Sequence, residues 1–135
     1  MKATIYNPSN GQISSTVYSS KPENLELNLP EGASWIEGDY SGDAYYIKSG
    51  EAVELPAKPD YPCNFDYSLE QWVWDEDKSW ADLRSERDKL LVASDWTQVP
   101  DAPVDQPAWA TYRQELRVLP DNTEDPRNIT WPTKP

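Results

Sequence analysis

The sequence contains no histidine and a single cysteine, Cys63. One cysteine cannot form an internal disulfide, and without histidine the usual zinc sets and the Ser–His, Cys–His and His general-base designs fall away together. Basic residues are scarce too: 12 Lys and Arg stand against 24 Asp and Glu, a net charge of -12 with a pI near 4.2. That sign argues against nucleic acid and anionic membrane as partners. No apolar run approaches the roughly 18 residues of a membrane span. The opening Met1–Pro8 stretch also lacks the apolar region of a signal peptide, which predicts a soluble chain, cytosolic at synthesis. Apolar residues make up only 37% of the 135, so the core is thin.

Aromatics and proline fill the gap. Seven Trp and eight Tyr carry much of the available hydrophobic burial, and thirteen Pro against five Gly favour fixed, extended connections. The distribution is uneven. All five Gly lie within the first 50 residues, and seven of the eight Tyr precede position 68, whereas six of the seven Trp follow position 71. Residues 1–77 hold 4 basic and 14 acidic side chains, while 78–135 hold 8 and 10. Two modules are the natural reading, and the fold class is α+β.

Residues 1–57 read as an antiparallel β module. Alternating or β-rich runs occur at Ala3–Tyr6, Ile13–Tyr18, Leu25–Leu29, Ser34–Glu37, Ala44–Lys48 and Ala52–Leu55, separated by turn chemistry at Asn10-Gly11, Pro30-Glu31-Gly32, Ser41-Gly42-Asp43 and Ser49-Gly50. Residues 58–77 form a connector, stiffened by Pro59 and Pro62 after Pro56 and followed by an aromatic segment from Phe65 to Trp74. Residues 78–135 read as an αα-hairpin with an extended tail. The first helix is predicted from Trp80 to Ala93 behind Ser79 as N-cap, with Trp80, Leu83, Leu90 and Leu91 on its apolar stripe and Arg87 there in need of a carboxylate or carbonyl. Ser94-Asp95 breaks it, and Thr97–Val104 is predicted non-helical. Asp105 caps the second helix, Pro107 suits its first turn, Val104 and Trp109 have staple spacing, and Trp109, Tyr112, Leu116 and Leu119 form the buried stripe as far as Pro120. Trp131 is the candidate anchor of the tail.

Few motifs point to chemistry. Asp39-Tyr40-Ser41-Gly42-Asp43 begins like a calcium loop, but Ala44 and Gly50 occupy the glycine and bidentate-Glu positions, so a hairpin turn is the expectation. Paired carboxylates for glycoside hydrolysis are numerically available, yet no spacing singles out two. Asn128-Ile129-Thr130 is a chance sequon in a chain without a secretory signal. An αα-hairpin of this size must lean on something, and aromatic and Arg residues are the ones that concentrate at interface hot spots. Trp80, Trp96, Trp109 and Trp131 are expected mainly to pack the hairpin, with one or two facing a partner.

Leu83-Arg84-Ser85-Glu86-Arg87-Asp88-Lys89-Leu90-Leu91, Ser94-Asp95-Trp96-Thr97-Gln98, Asp101, Trp109-Ala110-Thr111-Tyr112-Arg113-Gln114-Glu115-Leu116-Arg117 and the closing Trp131-Pro132 together resemble the phage tail assembly chaperone domain, found at the C-terminus of small tail fibre assembly proteins. The resemblance covers residues 78–135 and departs from the pattern at Val118, where an acidic residue is expected. It implies a non-enzymatic protein, without cofactor or metal, that binds the C-terminal part of a bacteriophage tail fibre protein in the host cytoplasm and assists its folding and trimerisation. The alternative it leaves open is a structural virion subunit retained on the fibre tip or among baseplate proteins, where it meets a host receptor. Partner contact is assigned to Trp35, Tyr40, Tyr45 and Tyr46 of the β module and to Trp80, Trp96 and Arg113 of the hairpin.

Overall fold

Strands form where apolar alternation is bounded by residues that can turn, and helices where a carboxylate can cap them. The structure, a computed structural model, describes residues 1–135. Its architecture is α+β, with seven strands and a short helix preceding two longer helices. The chain forms two compact units, Met1–Pro59 with Cys63–Val73, and Asp60–Pro62 with Trp74–Pro135.

In the N-terminal unit β1 (Lys2–Tyr6) is the centre of a three-stranded antiparallel sheet, with β2 (Ile13–Tyr18) and β3 (Ser34–Glu37) on either side. Ile5 faces Ser15 on one side and Trp35 on the other. Thr4 is fully buried and acts as a pin: its Oγ1 donates to the Gly38 carbonyl at 2.9 Å and accepts from the Tyr40 N–H at 3.0 Å. The Asp39–Asp43 stretch is thus fastened to the first sheet and links it to β4 (Tyr45–Lys48), which pairs elsewhere, so the expected hairpin turn is instead a crossing loop. Asp39 forms an ion pair with Lys2.

β4 and β5 (Glu51–Glu54) make a hairpin whose two-residue loop is Ser49-Gly50. Both loop residues have positive φ, 53° and 78°, as the mirror-image turns of tight hairpins require. Gly11 is needed for a different reason. Its φ is +81°, and a Cβ there would lie 2.0 Å from the Ile47 carbonyl oxygen, while the Ile47 N–H donates to the Gly11 carbonyl at 2.8 Å.

Two expectations for this region are corrected. Leu25–Leu29 is no strand: Pro22–Glu26 forms the short helix α1, with Pro22 in the first turn where its missing N–H costs nothing. Only Leu25 of the alternating leucines is buried, and Leu27 is 83% exposed. The aromatic part of the connector is a further hairpin, β6 (Cys63–Asp66) and β7 (Gln71–Trp74), whose four-residue link admits only antiparallel pairing. Its turn contains neither glycine nor proline. The Asp66 carboxylate replaces them, accepting from the Ser68 N–H at 2.9 Å, the Ser68 hydroxyl at 2.6 Å and the Leu69 N–H at 3.0 Å, while Glu70 takes φ +53°.

In the C-terminal unit α2 runs from Glu76 to Ser94 and begins one turn earlier than predicted. Asp75 is the N-cap, accepting from the Lys78 N–H at 3.0 Å, with Glu76 and Asp77 in the favourable first turn. Ser79 is buried inside the helix, and its hydroxyl accepts from the Trp74 indole at 2.8 Å. A single 3₁₀ turn, Asp95–Gln98, follows, so Thr97 and Gln98 are helical in that tighter sense. α3 runs from Gln106 to Val118 with Asp105 as N-cap, accepting from the Ala108 N–H at 3.2 Å. Trp109, Tyr112, Leu116 and Leu119 are buried as the stripe predicts, and Leu90, Leu91 and Val104 pack against the first three. Arg87 finds its carboxylate in neighbouring Asp88, at 2.9 Å.

Candidate partner-binding surface

The turn from α2 into α3 is organised by one buried cation. Arg113, 8% exposed, projects from α3 towards the C-terminal end of α2, where helix carbonyls lack partners of their own. Its Nη1 donates to the Leu91 carbonyl at 2.6 Å and to the Ser94 hydroxyl at 2.7 Å, and its Nη2 to Asp95 Oδ1 at 2.7 Å. Ser94 in turn donates to the Leu90 carbonyl at 2.8 Å. A guanidinium suits this place because it satisfies several acceptors in fixed directions. The Ser94-Asp95 pair that ends the helix in sequence is therefore also the acceptor set for Arg113. The head group is turned inward, so Arg113 belongs to the packing and not to the accessible surface.

With the turn fixed in this way, Trp96 stands outside. It is 51% exposed and tilts against buried Trp109, ring centroids 6.3 Å apart, while Trp109 meets Tyr112 edge to face at 5.6 Å. Val92, one turn earlier on α2, is 71% exposed, and Val99 just after the 3₁₀ turn is exposed as well. A small recess of about 110 Å³ lies between Leu90, Ala93, Trp96, Trp109 and Tyr112, with Lys134 at its edge. The Lys134 ammonium sits 5.6 Å from the centre of the Trp109 ring. What the face offers is apolar and aromatic area, the currency of protein interfaces.

The other residues assigned from sequence are dispersed. Trp80 lies roughly four helical turns before Trp96 and is engaged along its own helix, its indole donating to Glu76 at 3.5 Å and Arg84 lying 5.7 Å over its ring. Tyr46 is buried, in contact with Phe65 at 5.3 Å and Tyr67 at 6.2 Å, and is core of the N-terminal unit. Phe65 continues the cluster to Trp72 at 5.3 Å, and the Trp72 indole is bonded to the Pro56 carbonyl. Tyr40 and Tyr45 pair edge to face at 5.3 Å, and half-buried Trp35 lies on β3, an outer strand of its sheet. The four β-module aromatics and the three hairpin residues thus fall in different units.

Sequence reasoning missed a second organising cation. Arg127 stacks on Trp74 at 3.7 Å and Tyr61 at 5.4 Å and is held in a two-point pair with Asp125, while the intervening Pro126 is buried. Pairing with Arg127 holds the Asp125 carboxyl below the ordinary range. The only forward signal was the turn-forming Asp125-Pro126 pair beside an arginine. Lys134 gave none, because 25 positions of chain separate it from Trp109.

The model of the phage tail assembly chaperone protein family matches residues 80–135. No curated protein and no solved structure matches the chain. The matching segment contains α2 from Trp80 onward, the Arg113 turn, α3 and the tail, and the family's description is that of a chaperone, not of an enzyme. From Trp80 to the last residue the chain is similar to the phage tail assembly chaperone proteins, and this likeness supports a role in phage tail assembly.

Proposed function

We propose that the chain is a tail fibre assembly chaperone that binds the C-terminal part of a fibre in the host cytoplasm and assists its folding and trimerisation, without catalysis or cofactor. The observation that carries this reading is the exposure of the apolar side chains Val92, Trp96 and Val99 within the segment that matches the family. An unassembled fibre terminus presents apolar strand and helix surface that aggregates unless it is covered, and such a face can cover it. The net charge of -12 keeps the pair soluble while it does so.

Co-expression with the C-terminal fragment of a tail fibre protein from the same phage tests the reading, with the mass of the soluble species measured after gel filtration. A soluble fibre trimer free of this chain identifies a releasing chaperone. A complex containing it identifies a subunit retained on the fibre, and a fragment equally soluble without it overturns the reading.

A further inference from the structure

We propose that the recess between Trp96 and Trp109 is a socket for a basic side chain of the partner, with the chain's own exposed Lys134 standing at its mouth. This rests on the reading of the Trp96 face as the docking surface. Tryptophan is the best aromatic acceptor for a cation, and the Lys134 ammonium already lies over the Trp109 ring at 5.6 Å. None of the chain's ion pairs includes exposed Lys134, so no carboxylate competes with the ring face for its charge. About 110 Å³ beside it remains unfilled, walled by half-exposed Trp96 and by Tyr112.

Lys134 is carried by an irregular end of the chain. Residues 128–135 form neither helix nor strand, and the last buried residue of the tail is Pro126, eight positions before Lys134. The segment that brings Lys134 to the socket's mouth, Pro132-Thr133-Lys134-Pro135, describes the ligand by example: an extended, proline-flanked segment with one Lys or Arg. Charge complementarity points the same way, since a chain of net charge -12 attracts basic segments over distances at which it repels acidic ones.

The test uses the full chain and the substitutions Lys134→Ala and Lys134→Arg, with the indole N–H resonances of Trp96 and Trp109 as readout. Blocked Pro-Thr-Lys-Pro and Pro-Thr-Ala-Pro peptides are the probes. Lys134→Ala is expected to shift the Trp109 resonance and Lys134→Arg to keep it near its original position. The lysine peptide is expected to bind Lys134→Ala about three- to thirty-fold more tightly than the alanine peptide does, the range of a single cation–π contact. It should also bind more weakly to the unsubstituted chain. Equal response to both peptides, an unmoved Trp109 resonance, or self-association that depends on Lys134 would overturn the socket. A fibre fragment that binds while the peptides fail to discriminate removes the socket and leaves the proposed function standing. Peptide discrimination without fibre binding does the reverse.

Discussion

The N-terminal unit gathers four of its rings into one cluster while leaving Tyr18 79% exposed, whereas the C-terminal unit sets exposed Trp96 directly against buried Trp109. Tyr46, Phe65, Tyr67 and Trp72 pack on one another, and the loop beside them is pinned by buried Thr4. In the C-terminal unit Arg113 satisfies the end of α2, so that Trp96 and Val99 need not close over it and remain at the surface. Aromatic content alone therefore does not mark a binding face.

The sharpest way to break this comparison is to remove the apolar support of each unit. Leu116 is fully buried under Trp109 and Tyr112, and Leu116→Ala is expected to cost about 2–5 kcal/mol in chemical denaturation. The N-terminal counterpart is a backbone approach. Gly11→Ala places a Cβ 2.0 Å from the Ile47 oxygen at φ +81°, whereas Gly50→Ala at φ +78° meets nothing within 4 Å. Gly50→Ala should lose only the left-handed penalty of about 1–2 kcal/mol, and Gly11→Ala that plus about 1–3 kcal/mol of overpacking. Equal losses would show that the Gly11–Ile47 contact yields without cost.

Next in size is the cation itself. Arg113→Met takes the guanidinium donor from the Ser94 hydroxyl and from the Leu91 carbonyl, which keeps only the longer bond from Ser94 at 3.1 Å, and is expected to cost about 1–3 kcal/mol. Asp95→Asn should cost far less, because that carboxylate is 64% exposed and its attraction is screened. If the two changes cost the same, Arg113 acts through its ion pair and not through the helix end. Smaller still in stability, but large in function, is Trp96→Ala, expected to change stability by under about 1 kcal/mol and to reduce recovery of soluble fibre trimer. Trp35→Ala is the comparison from the other unit; wild-type yields from both would remove these rings from the docking surface.

Much of this was legible in the residues. The strands at Ile13–Tyr18 and Ser34–Glu37, the Asp105 cap and the Trp109–Leu119 stripe follow from local pattern, because each is fixed by neighbours within a few positions. The β6–β7 hairpin was not, since its turn is built by the Asp66 side chain and not by glycine or proline. Ser79 misled for a related reason: a hydroxyl that reads as a cap is instead claimed by the Trp74 indole, and the cap passes to Asp75. Arg113 and Tyr46 were assigned to the surface because chemistry that attracts partners is the same chemistry that satisfies a buried end or fills a core. Only the acceptors supplied by Leu91, Ser94 and Asp95, and the rings around Tyr46, decide between these roles.

Each unit also carries one carboxylate held below its ordinary range, and the causes differ, which gives the comparison its finest test. Asp66 is lowered chiefly by the Ser68 hydroxyl and the Leu69 N–H, Asp125 by the Arg127 side chain and then its N–H. A carboxyl whose folded pKa lies below its unfolded one contributes stability above the unfolded value, and that contribution is lost as pH falls through the folded value. Both contributions should therefore be lost on the acid side of the ordinary carboxylate range. Salt distinguishes them. The Asp125–Arg127 pair is an exposed ionic contact and should weaken as ionic strength rises, while the Asp66 turn, held by neutral donors, should be nearly indifferent. The Trp74 indole resonance reports the first through the stacked Arg127, and the Ser68 and Leu69 amides report the second. An acid shift at Trp74 that salt leaves unchanged would mean that the stack on Trp74 and Tyr61, and not the carboxylate, holds Arg127 in place.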